Sequence, residues 1–441
     1  MAYVTEALAD FATNVPGDES PQLVRQAAER AILDTIAAIA AGFVTQNAEC
    51  TRAAAQDVFG WGEFRPWFSS GNSMHFLGAL LSNCAAASAL DIDDGHRGAA
   101  GHPGAAIVPA ILMECQRTKV AGKDLLAAVI VGYDVALRVG ASRLRTHDIS
   151  YASGIWTGYG VAAALARLKG LSARETAHAL AIAGAEAPCN LPQGACSASS
   201  VKGSSPWSTV TAAVAVARAA AGATGSLDLL DRSAAYDVAT ITNDLSKQWL
   251  ISETYQKPYA SCRYTHPVID AIVKMRPPGG WDVSQVQAIQ IEIFPEARKL
   301  PNNIAPTSLE DAQFSIPFSA ALALVAGASA FQPLEPMSLE DPRVLALAQR
   351  ITVDYSSPDF AGVFPGRTPA RVSLVIGGRA QSLQVDYPLG DVSNPMTTAG
   401  IADKFTALSR RSPAFTQELV AAIRNLQCTD SGALMSLLLD T

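Results

Sequence analysis

The stretch Asp91-Ile-Asp-Asp-Gly-His96-Arg97, followed by Gly101-His102-Pro103-Gly104, puts three carboxylates, two imidazoles and one guanidinium within twelve residues. Groups of this kind are costly to bury and are therefore either solvated or used. The residue types allow three readings. One is a capped, water-exposed loop between helices. Another is an Asp/His site for Zn, Mn or Fe. The third is proton transfer beside a bound carboxylate, for which His and Arg are suited together. An EF-hand is excluded: counting from Asp91, Gly95 stands at position five and His102 at position twelve, where that loop needs Gly at six and Glu at twelve.

A second cluster, Lys257-Pro-Tyr259-Ala-Ser-Cys262-Arg263-Tyr-Thr-His266-Pro267, gathers an ammonium, a phenol, a thiol, a guanidinium and an imidazole within ten residues. Its two prolines make a rigid, non-helical approach to the next helix. A donor-rich basic loop at a helix entrance can cradle a carboxylate; the plainer reading is an interface loop. Cys262 reads as a small packing residue rather than a nucleophile. A third stretch, 189–207, is rich in Gly, Ser and Pro and has Lys202 as its single charge. It suits a loop that covers a substrate, although a solvated surface lysine fits as well. His178 reads as a core residue, and Gln313-Phe-Ser-Ile-Pro317 as a structural helix entrance. Walker P-loop, GxGxxG, GxSxG and CxxC patterns are absent, so phosphate-loop, dinucleotide, hydrolase-elbow, zinc-ribbon and thioredoxin chemistry are not indicated.

The elements that must position these groups are mostly helices. From the start to about residue 230, Ala-rich segments at 76–91, 104–117, 122–141, 158–169, 172–186 and 209–221 follow one another. Ser20-Pro21 opens a helix in which Val24, Ala27, Ala28, Ile32, Ile36 and Ile39 keep helical spacing. Ser172 and Glu175 have the spacing of a capping box. After about residue 270 the texture changes: 286–293 alternates with period two, and 371–376, Gly377-Gly378 and 382–387 read as a β-hairpin. Segments 315–331 and 342–350 read as helical, and from residue 397 the chain is helical again. The expected architecture has two domains. A large all-α bundle would comprise 1–268 plus 397–441, and a smaller α+β domain 269–396.

The composition agrees with a large helical scaffold. The 441 residues are 49% hydrophobic and only 17% charged, enough for a sizeable core without metal or disulfide staples. The net charge of −7 argues against nonspecific binding to nucleic acid or an anionic membrane. A local basic pocket for a small anion is compatible with it. Seven scattered cysteines and a start without a signal-peptide pattern lead to the expectation of a reduced, cytoplasmic protein.

Taken together, these segments resemble the MmgE/PrpD family. The likeness is carried by DIDDGH with GHPG, Thr176–Gly184, KPYASCRYTHP, Ala312–Pro317 and the late Asn394-Pro with Lys404-Phe, in the family's order over nearly the whole chain. The resemblance implies a helical domain, a smaller α+β domain and a site between them, usually in a homodimer. It also implies action on small polycarboxylates without a required organic cofactor. The family includes 2-methylcitrate dehydratases, cis-aconitate decarboxylases and iminodisuccinate epimerases, and the likeness is greatest to the epimerases. Its functional residues fall on Asp91, His102, Lys202 and Lys257. Two departures count against the lyases: Ile155 stands where they carry a His before Thr-Gly, and Gly95 where they carry a Thr.

The expectation is therefore a cofactor-independent epimerase that inverts the carbon α to a carboxylate, with iminodisuccinate favoured. The alternatives are a lyase of the same family and a noncatalytic polycarboxylate-binding protein. Inversion needs an acid–base group on each face, here Lys257, its pKa lowered among cations, with His96 or His266 opposite. Asp91 would orient an imidazole. His102, Arg97, Lys202 and Arg263, with Tyr259, would clamp the substrate carboxylates.

Overall fold

A computed structural model of the chain describes residues 3–15, 20–144, 152–188, 199, 201–202 and 204–440. Within these residues the larger unit is a bundle of helices running from Val4–Asn14 to Ser205–Ala220. Helix Gln22–Gly42 buries Val24, Ala27, Ala28, Ile32, Ile36 and Ile39, the stripe set by their spacing. Small residues govern how closely the helices approach. A Cβ on Gly160 would stand 2.1 Å from the carbonyl oxygen of Gly132, so helices Gly122–Ser142 and Gly154–Leu168 meet backbone to backbone. Helix Ala173–Ala185 starts with the capping box: the Ser172 hydroxyl accepts from the Glu175 amide at 3.3 Å, and the Ser172 amide donates to the Glu175 carboxylate at 2.8 Å.

The larger unit is not wholly α. Trp61–Phe64 is a short exposed strand bridged to Met74. Helix Gly122–Ser142 is long and apolar enough to cross a membrane, and 94% of its most apolar window is buried within the bundle.

The smaller unit contains a four-stranded mixed sheet in the order Ile351–Asp354, Val286–Ile293, Ala370–Ile376, Arg379–Val385. The first pair is parallel and the other two antiparallel. Gly377 and Gly378 join the hairpin with φ of 56° and 74°, the left-handed pair that matches strand twist in a two-residue turn. Alternation along Val286–Ile293 breaks at Ala288, where the register shifts. Helices His266–Met275 and Ile316–Ala326 cover the sheet. The helix expected over 315–331 ends at Ala326, because Gly327 takes φ 77° and the chain continues as a 3-10 turn at Ala328–Phe331.

After the sheet, helices Thr398–Ser409, Pro413–Arg424 and Gly432–Leu439 return to the bundle, the first two against Gln22–Gly42 and the third against Gly104–Arg117. The Lys404 ammonium is buried there, donating to Asp34 at 2.7 Å and to the Ile92 carbonyl at 2.8 Å. That contact holds the chain at the start of the acidic cluster.

Candidate active site

Helix Phe76–Ser88 ends just before the cluster, and Asp91 turns the chain with a left-handed φ of 50°. One oxygen of its carboxylate, Oδ2, accepts from Lys257 Nζ at 2.6 Å. The other, Oδ1, lies 3.6 Å from His102 Nε2. Burial acts to raise the Asp91 carboxyl, but Lys257, His102 and Lys202 outweigh it and hold the pKa at about 2. Lys257 is fully buried, and its amine faces this carboxylate rather than cations alone. His102 is oriented by its backbone amide, which donates to Ser153 Oγ at 3.0 Å, and by Nδ1, 2.7 Å from the Asp94 carbonyl. A carbonyl only accepts, so Nδ1 donates that bond and Nε2 is the nitrogen turned toward Asp91.

Lys202 reaches the same place from the mid-chain loop. Its amine donates to Gln313 Oε1 and lies 4.9 Å from the centre of the Phe314 ring. Burial lowers its pKa, while Asp91 acts in the opposite direction. The site is thus assembled from the acidic loop, the mid-chain loop, the late basic loop and the short helix Leu309–Gln313 of the smaller unit.

A second layer of carboxyl groups lies beside His102. Asp94 accepts from the Gly104 amide at 2.9 Å and from the Tyr133 hydroxyl at 2.8 Å, and so caps helix Gly104–Arg117. Burial, reinforced by Asp34, pushes its carboxyl up to about 8, which leaves Asp94 protonated at neutral pH. Burial also raises Asp93, whose Oδ2 has no hydrogen bond among the described residues and stands 3.5 Å from His102 Nδ1. Asp91, Asp93 and His102 offer ligand atoms within 4.8 Å of one another. A metal there would have to share Asp91 with the Lys257 ammonium.

The remaining predicted site residues are engaged elsewhere. Arg97 Nη1 donates to the buried Asp391 carboxylate at 2.8 Å, and Arg263 Nη2 lies 3.4 Å from the same oxygen. Arg263 also donates to the Leu389 and Pro388 carbonyls at 2.9 and 3.1 Å and stacks over Tyr255. The two arginines therefore join the acidic and basic loops to the turn at 388–391. His96 Nδ1 accepts from the Ala99 amide at 3.0 Å, and its Nε2 is turned toward Glu253 at 3.8 Å. His266 Nε2 donates to the Ser261 carbonyl at 3.1 Å and its Nδ1 faces Arg263 at 3.4 Å. Burial, with Arg263 and Lys257 nearby, drives the His266 pKa well down, so the ring is neutral. The Tyr259 hydroxyl donates to Asp270 at 2.8 Å. Burial pushes the Cys262 thiol up to about 11, against a nucleophilic role.

Of the stretch 189–207, residues 189–198, 200 and 203 lie outside the described residues. Gln313, assigned a purely structural role from the sequence, does frame the helix entrance: Ser315 caps helix Ile316–Ala326 by accepting from the Phe318 amide. It also holds Lys202, which its position beside a capping Ser does not disclose.

Comparison with known proteins adds the following. The MmgE/PrpD N-terminal domain matches residues 6–248 and the MmgE/PrpD C-terminal domain matches 259–427. The second match includes tail helices that pack on the bundle. The chain is 23% identical over 395 residues, 80% of each protein, to a cis-aconitate decarboxylase-like protein, oryM, of Aspergillus oryzae. With both family domains matched in order across most of its length and a lysine–carboxylate–histidine cluster where their elements meet, the chain belongs to the MmgE/PrpD family.

Proposed function

We propose that the chain is a cofactor-independent epimerase that inverts the carbon α to a carboxylate in a small polycarboxylate, with iminodisuccinate the favoured substrate. The observation that carries the reading is the arrangement around Asp91: the Lys257 ammonium stands at one carboxylate oxygen and the His102 imidazole at the other. Inversion needs one group holding a proton and another able to take one. His102 takes the α-proton through Nε2, the C–H electron pair passes into an enediolate, and Lys257 returns a proton to the opposite face. His102 fills the role first assigned to His96 or His266, since both rings spend their nitrogens on protein groups. Lys202 and Lys257 offset the charge that develops on the substrate carboxylate. The enzyme acts without a metal or an organic cofactor, as a homodimer in the cytoplasm.

The second reading is a lyase, favoured by the decarboxylase-like relative. Two positions weigh against it. Ile155 is half-buried in helix Gly154–Leu168. At Gly95 a Cβ would stand 2.4 Å from the Tyr255 hydroxyl, which leaves no space for the lyases' Thr.

Proton NMR in deuterated buffer with iminodisuccinate stereoisomers tests the proposal. Interconversion with deuterium wash-in at the α-carbon is the expected result. Alkene or CO₂ formation without interconversion would establish the lyase instead, and binding without turnover across a polycarboxylate panel would leave a binding protein. Activity should survive exhaustive chelation; loss restored by Zn, Mn or Fe would overturn the metal-free part.

A further inference from the structure

The Gln313 side chain is fully buried and spans two parts of the site. Its Oε1 accepts from Lys202 Nζ and its Nε2 donates to the Ala89 carbonyl at 3.2 Å, just ahead of Asp91. Its own carbonyl accepts from the Cys262 amide at 2.8 Å, in the loop that carries Lys257. One residue of the smaller unit therefore touches all three loops that deliver the charged groups. The bond to Ala89 orients the amide: with the NH₂ committed to a carbonyl, the oxygen must face Lys202.

We propose that Gln313 is a positioning residue for substrate binding: it aims the Lys202 ammonium at a substrate carboxylate and, being uncharged, holds the amine without neutralising it. This rests on the polycarboxylate reading above. An ammonium has three donors. Gln313 takes one, and Phe314 lines the site next to the amine without accepting a conventional hydrogen bond. Among the described residues, its other donors stay available to an anion. A carboxylate at residue 313 would sit at the same distance and neutralise the lysine, competing with the substrate. The groups that act on Lys202 from the surrounding elements are Asp91 and Asp93 of the acidic loop, Glu310 of helix Leu309–Gln313, and Lys257 of the late loop. Gln313 is the neutral member of this set.

The isosteric Gln313→Glu and the apolar Gln313→Leu test the proposal in the full-length protein. Two readouts are needed. The first is competitive acetylation of Lys202 by trace acetic anhydride, followed by mass spectrometry across pH, which needs no turnover. The second is steady-state kinetics on the polycarboxylate, with citrate binding measured by calorimetry. Gln313→Glu should move Lys202 acetylation to higher pH. It should also raise KM and the citrate Kd about tenfold or more with kcat changed far less, the signature of lost uniform binding. Gln313→Leu should raise KM without moving the acetylation profile upward. In a Lys202→Met background, Gln313→Glu should add no further rise in KM, because the two residues act through one contact. Should Gln313→Leu fail to fold, the isosteric variant alone decides the question. Wild-type Lys202 titration together with wild-type citrate affinity in Gln313→Glu would overturn the proposal. If the wild type binds citrate but turns over no polycarboxylate, while Gln313→Glu still shifts Lys202 acetylation and weakens citrate binding, the catalytic reading falls and the role of Gln313 stands.

Discussion

The ammonium of Lys257 and the carboxylate of Asp91 meet at 2.6 Å across 166 residues of chain, and the lysine is completely buried. Asp91 reaches this position through a left-handed backbone turn, held from behind by the bond from Lys404 to the Ile92 carbonyl. The pair keeps a proton donor and an ionised carboxylate together at the base of the site.

Removing one partner of this pair strands the other. Lys257→Met is expected to lower α-proton exchange by about 10²–10⁴-fold. It should also cost about 3–5 kcal/mol, since a buried charge loses its counterion. Asp91→Asn with Lys257→Met should recover most of that stability and none of the exchange. Urea unfolding and deuterium wash-in measure the two effects separately. Near-normal exchange in Lys257→Met would end its role as an acid–base group.

Asp94 makes stability depend on pH in a defined direction. Its carboxyl is raised to about 8 in the folded protein, against 3.8 as the ordinary value. Between those values the folded chain binds more protons than the unfolded one, so this contribution is lost as pH rises from about 4 to about 8. Asp94→Asn keeps groups able to bond Gly104 and Tyr133 but removes the titration. The variant should gain on the wild type between pH 6 and 8 in thermal melts. Parallel curves would show that Asp94 does not titrate there.

Asp391 is the shared anchor of Arg97 and Arg263. Asp391→Asn should lower the unfolding free energy by about 3 kcal/mol, since both guanidiniums lose a buried counterion. Substrate KM should move little. A tenfold change in KM without loss of stability would return the two arginines to the substrate clamp expected from the sequence.

Gly95 leaves no space for a side chain. A Cβ there would fall 2.4 Å from the Tyr255 hydroxyl and 2.5 Å from the ring carbon bearing it, and Arg263 stacks on the same ring. Gly95→Thr, the residue of the lyases, should destabilise by about 1–3 kcal/mol through overpacking. It should not introduce alkene or CO₂ formation on a polycarboxylate panel. A stable variant with new lyase activity would contradict both the packing and the epimerase reading.

Much of this molecule was legible in its residues. Helical periodicity at 24–39, the capping box at Ser172, the Gly377-Gly378 hairpin and the division into helical and mixed parts are local properties, set by side-chain spacing and turn chemistry within a few residues. Asp91, His102, Lys202 and Lys257 were marked by charge concentration and by family likeness. Chain order could not assign partners to the cations, because a charge's role depends on which counterion folding brings near it. Asp391 and the 388–391 turn engage Arg97 and Arg263, while Lys257 pairs with Asp91 and Lys202 bonds the neutral Gln313. The same holds for the imidazoles: His96 and His266 face protein donors and acceptors, whereas His102 turns Nε2 toward Asp91. Gln313 shows the limit most clearly. As an uncharged residue in a helix entrance it carries no local sign of this contact, and its role arises only because the smaller unit folds its amide against Lys202 and Ala89. The sequence by itself determined which charged groups were available; tertiary packing decided which were neutralised and which were left to act, since burial and pairing distances of a few ångströms control the free energy of a charge.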